Sequence, residues 1–215
     1  MTVRAVVFDV GETLVDETRP WGEWADWLGI PRLTLFAVLG GIIATGDHHQ
    51  RATELLRPGL DLRAEAARMR TATGTSWVKA EDLYPDALPT LRALHQAGYR
   101  LGVAGNQPLD TEGVMRDLDV PLELVASSAR LGVEKPDPAF FDSVATALDL
   151  PPAEIAYVGD RLDNDVRPAA TAGMHAIYLR RGPWAWLQER NDGTPAEAAA
   201  VITSLEELPE VVARL

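Results

Sequence analysis

Six short apolar runs, separated by stretches with helical spacing, most constrain what this chain can fold into. The runs are rich in Val, Ile, Leu and Ala and have no polar face, which is typical of parallel strands buried on both sides of a sheet. They lie at 3–9, 99–105, 122–127, 154–159, 174–179 and 200–202. Their alternation with helices predicts an α/β fold with a doubly wound, mainly parallel, Rossmann-like sheet.

Residues that favour helix ends support this prediction. Asp137 stands before a proline, which predicts an N-cap followed by a first-turn proline. Ser204 and Glu207 have the spacing of a capping box. Gly98 is placed to close a helix that begins near Asp86, because glycine readily adopts the left-handed conformation that ends helices.

Residues 15–84 interrupt the alternation of strands and helices. The segment is far longer than one crossover helix needs, and its pattern is helical throughout. Trp21, Trp24 and Trp27 recur at helical spacing and are expected to pack within it. The predicted division of the chain is a core of 1–14 and 85–215 with an inserted helical cap of 15–84.

Polar side chains stand at or just past the carboxyl ends of several predicted strands. Asp9 follows the first strand, Asn106 the second and Asp160 the fourth, with Lys135 and Asp165 in neighbouring segments. Open α/β sheets place their ligand sites at this edge. Carboxylates, a lysine and backbone amides together are suited to a divalent metal and a phosphoryl group.

Each of these groups has a chemical role that its type suggests. A carboxylate such as Asp9 attacks phosphorus and forms an aspartyl-phosphate, which water then hydrolyses. A cation must offset the repulsion between the two anions, and Asp160 with Asp165 offers the hard oxygen ligands that Mg²⁺ prefers. Lys135 is expected to hold Asp9 and the phosphoryl oxygens through its compact charge.

Four motifs carry a resemblance to a known family. They are FDVGETL at 8–14, VAGN at 103–106, EKPDP at 134–138 and GDRLDND at 159–165. In this order they resemble the haloacid dehalogenase (HAD) superfamily of hydrolases, in its phosphatase-like branch with a helical cap after the first motif. The resemblance implies Asp9 as nucleophile and Lys135 as the motif lysine. It also implies a Mg²⁺ site formed by Asp9, the Gly11 backbone carbonyl, Asp160 and Asp165.

Phosphate-binding positions are expected around the same strand ends. Backbone amides near Glu12 and Asn106 can cradle phosphoryl oxygens. The resemblance implies that Thr13 braces the loop after the first strand. It also assigns phosphate-binding positions to Gly11 and Gly105.

Two positions depart from the family pattern. The pattern has a second aspartate two residues after the nucleophile, acting as general acid and base, where this chain has Gly11. Positioned acid–base catalysis contributes about 10²–10⁴-fold, so slow turnover is expected unless another group substitutes. Leaving groups that need little protonation, such as acyl, aryl or anomeric phosphates, should then be preferred. Gly105 replaces the usual Ser or Thr, which removes one hydroxyl contact to phosphate.

The leading interpretation is a Mg²⁺-dependent phosphohydrolase that acts on a small phosphorylated metabolite through an aspartyl-phosphate. A second is haloacid dehalogenase chemistry, in which Asp9 displaces halide from carbon. The Asp160 and Asp165 pair argues against it, because that branch needs no metal. A third is a catalytically weakened member that binds a phosphorylated ligand or a protein partner, with Gly11 and Gly105 as the marks of lost activity.

Composition narrows the possible partners and location. The 215-residue chain carries a net charge of −12, which disfavours nucleic acid and anionic membranes as partners. It has no cysteine, so disulfides and thiolate metal sites are excluded. No run is long and apolar enough for a membrane span, and no secretory pattern opens the chain, so a cytoplasmic location is expected. Oligomeric state is not readable from the sequence.

Several further residues are weaker candidates. Glu12 is the nearest replacement for the missing acid, although its side chain is expected to point away from the substrate. His48 and His49 lie in the predicted cap, where packing is the simpler role. Arg32 and Arg51 are candidates to recognise a second anionic group, but exposed arginines need no special explanation.

Overall fold

The computed structural model describes residues 2–215, which contain one sheet of six parallel strands. The strands are β1 (Ala5–Phe8), β2 (Arg100–Gly105), β3 (Leu124–Ser127), β4 (Ile155–Gly159), β5 (His175–Leu179) and β6 (Ala200–Ile202). Each lies within a run that the sequence predicts as a strand. The predicted fold class, a doubly wound and mainly parallel α/β sheet, is confirmed.

Eleven helices are formed by the described residues. They are α1 (Thr18–Trp27), α2 (Arg32–Ala44), α3 (Gln50–Leu56), α4 (Leu62–Thr73), α5 (Ala87–Gln96), α6 (Leu109–Arg116), α7 (Ser128–Leu131), α8 (Pro138–Leu148), α9 (Arg167–Thr171), α10 (Gly182–Asp192) and α11 (Leu208–Val212). The predicted helix ends are observed at three places. Asp137 caps α8, Gly98 follows α5 at φ +93°, and Ser204 with Glu207 forms a capping box before α11.

The strand order β3-β2-β1-β4-β5-β6 reverses direction between β1 and β4. At such a reversal the connections on either side leave in opposite directions and open a crevice at the carboxyl ends of the two strands. Asp9 follows β1 directly and Asp160 follows β4 directly. The order of the strands therefore brings these two carboxylates side by side.

Alternate side chains of each strand enter two different cores. Val6 and Phe8 of β1 face one side of the sheet, where Leu91 of α5 and Leu208 of α11 cover them. Val7 faces the other side, together with the aromatic residues of α8. Burying one side chain of this size stabilises the fold by about 1.5–3 kcal/mol. Both faces being covered explains why the strands have no polar side.

Helices α1 to α4 occupy the segment that the sequence predicts as a cap. Its two ends meet, because the Tyr84 backbone N–H donates to the Leu14 carbonyl at 2.9 Å and Val15 bridges to Leu83. A third apolar cluster forms inside the segment around Trp24 and also receives Trp184 of α10. These contacts agree with a boundary near 15 and 84, and the division into core and cap stays a prediction.

No single helix within residues 2–215 is both long and apolar enough to cross a bilayer. Only α1 and α2 taken together pass that test, with a bend of 116° between them.

Candidate active site

Three carboxylates and one lysine meet at the carboxyl ends of β1 and β4. Lys135 Nζ donates to Asp9 Oδ1 and to Asp165 Oδ1, each at 2.5 Å. Asp9, Asp160 and Asp165 each offer one oxygen within 4.8 Å of the others. All four side chains are buried. The sequence predicted each of these residues, and the fold brings all of them together.

Burial and mutual repulsion perturb the pKa values of this cluster. Burial, followed by the charges of Asp165 and Asp9, raises the pKa of Asp160 well above its usual range. Burial opposes the charged form of Lys135, but the same two carboxylates outweigh it and raise the lysine pKa. The cluster therefore holds more negative charge than one ammonium group offsets, which is the condition that favours an added cation.

The donor set fits a Mg²⁺ ion. Asp160 Oδ2 is buried and has no hydrogen-bond partner among the described residues, so one oxygen is free for a ligand. Three carboxylate oxygens are hard donors, which Mg²⁺ prefers to nitrogen or sulfur. Asp165 is constrained further, because the Arg161 backbone N–H donates to its Oδ2 at 3.0 Å. Both oxygens of Asp165 are thus engaged, so Asp9 and Asp160 are the less constrained candidates, with Asp165 completing the set.

Two glycines make room for these carboxylates. A Cβ on Gly159, the last residue of β4, would overlap the Asp165 carboxyl group. A Cβ on Gly105 would lie 2.7 Å from Asp9 Oδ1. The glycine that departs from the family pattern at 105 thus gives Asp9 its space in this arrangement.

Asn106 has a role that the sequence analysis did not anticipate. Its side chain accepts a hydrogen bond from the Lys135 backbone N–H at 2.8 Å and donates to the Lys135 carbonyl at 2.9 Å. This pairing fixes the lysine backbone from the end of β2. Asn106 also lines the cavity beside Asp9, as expected of a phosphate-binding position.

The loop after β1 holds Glu12 in an unusual conformation. Glu12 has φ +52°, and its carboxylate accepts from the Glu17 backbone N–H at 2.9 Å and from the Tyr84 hydroxyl at 2.8 Å. Both of its oxygens are therefore occupied. Thr13 is fully buried, its hydroxyl has no partner among the described residues, and its carbonyl accepts from Arg181 at 3.1 Å. Thr13 is placed within the loop and does not line the cavity.

Glu17, just before α1, is a site residue that the sequence analysis missed. A Cβ added to Gly11 would fall 2.6 Å from Glu17 Oε1, so this carboxyl occupies space next to residue 11. Its Oε1 accepts from the indole of Trp77 at 3.2 Å and its Oε2 from that of Trp21 at 3.1 Å. Burial, followed by the charge of Glu12, raises the pKa of Glu17 to about 7. The feature of the sequence that points to such a residue is Gly11, which stands where the family pattern has an acid.

A cavity of about 720 Å³ opens over these groups. Its floor includes Asp9, Gly11 and Lys135, and Glu17 and Trp21 line its side. The remaining wall combines residues of α1, α3, α4 and α10 with residues from the segments 46–49, 106–108, 134–136 and 161–164. A volume of this size suits a small molecule.

The cavity also contains histidines and arginines. His49 is packed edge-on against Trp21 and Trp184, and burial lowers its pKa to about 3, so it is neutral near pH 7. Arg63 and Arg70 of α4 line the cavity, and the structure pairs neither with a carboxylate in residues 2–215.

The arginines suggested by the sequence lie elsewhere. Arg32 pairs with Asp26 and Arg51 pairs with Glu54, and neither lines the cavity.

Comparison with known proteins places the chain in a family. The haloacid dehalogenase-like hydrolase family model matches residues 3–173. The chain therefore belongs to the haloacid dehalogenase-like hydrolases. The resemblance carried by the four motifs and the prediction of a hydrolase are confirmed.

Individual relatives include phosphatases and a dehalogenase. A glyceraldehyde 3-phosphate phosphatase of Methanopyrus kandleri is 33% identical over 211 residues, covering 88% of this chain and 89% of the relative. A phosphoglycolate phosphatase of Vibrio vulnificus is 28% identical over 235 residues, covering 98% and 96%. The crystal structure of the L-2-haloacid dehalogenase RSc1362 has a TM-score of 0.69 at 21% identity, covering 99% of both chains. This last likeness concerns the fold alone.

Proposed function

We propose that this protein is a Mg²⁺-dependent phosphohydrolase that cleaves a small phosphorylated metabolite through an aspartyl-phosphate on Asp9. The observation that carries the proposal is the cluster of Asp9, Asp160 and Asp165 around Lys135 at the base of a cavity. Phosphoryl transfer of this kind needs a nucleophilic carboxylate and further hard oxygen donors that bind a metal ion. The two relatives named as phosphatases support the same reaction class.

The residues of the site have separate roles in this reaction. Asp9 attacks phosphorus from a position that Lys135 fixes by its hydrogen bond. Asp9, Asp160, Asp165 and the Gly11 carbonyl would hold Mg²⁺, which supplies positive charge that offsets repulsion between the phosphoryl group and the nucleophile. The positive charge of the Lys135 ammonium stabilises the negative charge of the phosphoryl oxygens. We assign the remaining oxygens to backbone amides near Val10 and Asn106. The predicted contact to the Glu12 amide is not available in this conformation, because the Glu12 N–H donates to the Val15 carbonyl at 2.7 Å.

Several expectations stay predictions. The substrate is a small phosphorylated metabolite, with glyceraldehyde 3-phosphate and phosphoglycolate as candidates because they appear in the relatives' names. The cytoplasmic location and the absence of nucleic-acid and membrane partners rest on charge and hydropathy. Slow turnover of esters with poor leaving groups follows from Gly11 only if no other group replaces the missing acid.

The test compares hydrolysis of 4-nitrophenyl phosphate by the wild type and Asp9→Asn, with and without Mg²⁺. Metal-dependent turnover that is lost in Asp9→Asn is the expected result. Asp142→Asn, an exposed residue on α8, serves as the matched control. Chloride release from a 2-chloro acid in the presence of a chelator would instead establish dehalogenase chemistry. Tight binding of phosphate esters without turnover would establish the weakened, ligand-binding form.

A further inference from the structure

The Glu17 carboxyl group fills the space that a side chain at residue 11 would occupy. Glu17 Oε1 lies 2.6 Å from the position of a Cβ on residue 11, and the carboxyl carbon lies 2.8 Å from it. Standard bond lengths separate the Cβ and Oδ atoms of an aspartate by about 2.4 Å. The Glu17 oxygen is therefore about as far from that position as the carboxylate oxygen of an aspartate at residue 11 would be. A side chain at 11 and the present Glu17 conformation exclude one another.

Two indole N–H groups orient this carboxyl group. Trp77 and Trp21 each donate to a different oxygen, and their rings pack edge-to-face at 5.3 Å with an interplanar angle of 85°. Each aromatic ring is thus braced by the other. The rigid pair holds the carboxyl group at the wall of the cavity that contains Asp9. Pre-orientation of this kind is what a group that acts on a bound substrate requires.

A purely structural role explains this arrangement poorly. Burying a carboxyl group is costly for folding, and a second acidic residue, Glu12, lies in the same loop. The two indole N–H groups need only hydrogen-bond acceptors, and a neutral acceptor or an ordered water meets that need without burying a second acidic group. The carboxyl group instead lines the cavity, and the residue that would displace it is a glycine.

We propose that Glu17 is the catalytic acid and base that residue 11 does not supply. The proposal rests on the proposed phosphohydrolase function and adds a residue to it. It also changes one expectation: esters with poor leaving groups become substrates, because the leaving oxygen can receive a proton.

The proton transfers balance over the two half-reactions. An Asp9 oxygen forms a bond to phosphorus, the bond from phosphorus to the leaving oxygen breaks, and that oxygen takes the electron pair and the Glu17 proton. The alcohol departs and Glu17 is left as a carboxylate. Water then attacks phosphorus while Glu17 removes its proton, and the bond between phosphorus and Asp9 breaks. Phosphate is released, with Asp9 ionised and Glu17 protonated as at the start.

The first experiment compares Glu17→Gln with the wild type on two esters, 4-nitrophenyl phosphate and ethyl phosphate. Nitrophenolate leaves without a proton, so Glu17→Gln should still release about one equivalent of it in a rapid burst. Steady turnover should then slow, because the base that activates water is missing. Ethyl phosphate needs the acid in the first step, and its turnover should fall by about 10²–10⁴-fold without a burst. Glu23→Gln on α1 is the matched control, because Glu23 does not line the cavity.

A second variant keeps the test decisive if Glu17→Gln folds poorly. Gly11→Asp combined with Glu17→Ala returns a carboxyl group to residue 11 and removes the one that would clash with it. This double variant should hydrolyse ethyl phosphate at least about tenfold faster than Glu17→Ala alone.

Other outcomes overturn the inference and leave the function standing. Equal losses on both esters, with no nitrophenolate burst and no recovery in the double variant, would make Glu17 a structural residue. Unchanged turnover of both esters in Glu17→Gln would also reject it. Failure of the proposed function looks different, because the wild type itself would then show no Mg²⁺-dependent turnover that depends on Asp9.

Discussion

Lys135 offsets part of the negative charge of the buried site. Its side chain is almost fully buried and contacts two of the three carboxylates that surround it. Removing one partner of a buried ion pair leaves uncompensated charge in a poorly solvated place. Lys135 is therefore expected to contribute to folding as well as to the proposed reaction.

Replacing Lys135 by methionine should lower the free energy of unfolding by about 3–5 kcal/mol, because Asp9 and Asp165 lose their cation. Added Mg²⁺ should restore part of this loss, and it should raise the melting temperature of the variant more than that of the wild type. Thermal unfolding with and without Mg²⁺ measures both effects. Lys79→Met, a half-exposed lysine with weak ion pairs, should change stability by less than about 1 kcal/mol. An unchanged melting temperature for Lys135→Met would contradict this assignment.

At the scale of elements, short turns after the strands position the side chains of the candidate site. The π-helical turn Leu162–Val166 follows β4 and carries Asp165 back toward Lys135. The Val166 backbone N–H donates to the Arg161 carbonyl, five residues earlier, at 3.1 Å, which closes this turn. Elsewhere in the fold, the Glu112 side chain of α6 joins this helix to β3 and α7 through hydrogen bonds with Ser127 and Arg130.

Glu112 makes the stability of this junction depend on pH. Its carboxylate accepts from the Ser127 backbone N–H and hydroxyl and from Arg130 and Arg116. Burial alone would raise the pKa of Glu112, but these bonds outweigh it and lower the pKa from 4.5 to about 2. Because the folded-state pKa is the lower one, the stabilisation is complete above about pH 5 and is lost as pH falls toward 2.

Glu112→Gln should therefore lower the free energy of unfolding at pH 7 by about 1–3 kcal/mol. The difference from the wild type should shrink as pH falls from 5 toward 2. Urea unfolding at pH 7, 5 and 3 measures this trend. A difference that stays constant over that range would mean that the charge on Glu112 is not responsible.

Helix α4 is expected to select substrates with a second negative charge. Arg63 and Arg70 line the cavity, and a charge-assisted hydrogen bond contributes about 1.5–3 kcal/mol. Replacing both by alanine should raise KM for phosphoglycolate about tenfold or more and leave KM for ethyl phosphate nearly unchanged. Arg68→Ala is the control, because Arg68 pairs with Glu65 on the same helix and does not line the cavity. Equal KM changes for both esters would show that these arginines do not bind the second negative charge of the substrate.

At the scale of the whole molecule, the net charge is negative, and only local cations favour an anionic substrate. The chain carries −12, which repels anionic substrates at long range. Lys135, Arg63, Arg70 and Arg161 place positive charge along the cavity. Binding of an anion thus depends on these local cations and on the metal that the carboxylates would hold.

Magnesium binding should stabilise the whole fold. A ligand present at 100 times its Kd stabilises the native state by about 2.7 kcal/mol. For a chain of this length that corresponds to a rise in melting temperature of about 5–10 °C. The rise should be reversed by EDTA and be much smaller in Asp160→Asn. An equal rise in Asp160→Asn would place the metal elsewhere.

The sequence by itself determined the sheet and most of the site. Buried parallel strands have no polar face, so their apolar runs are recognisable along the chain, and polar residues at their ends stand out. Asp9 and Asp160 could be found for this reason, and Lys135 and Asp165 from the motifs that resemble the family. The fold follows from the alternation of strands and helices.

Only the tertiary structure decided the contacts made between the inserted helices and the strand ends. Glu17 reaches the space beside Gly11 because Trp21 and Trp77, which are 56 positions apart in the chain, converge on its carboxyl group. The arginines of the inserted helices that line the cavity are Arg63 and Arg70, because the orientation of α4 selects which of its side chains face inward. The spacing of residues along the chain predicts which side chains share one face of a helix. Which element that face contacts depends on how distant parts of the chain pack together.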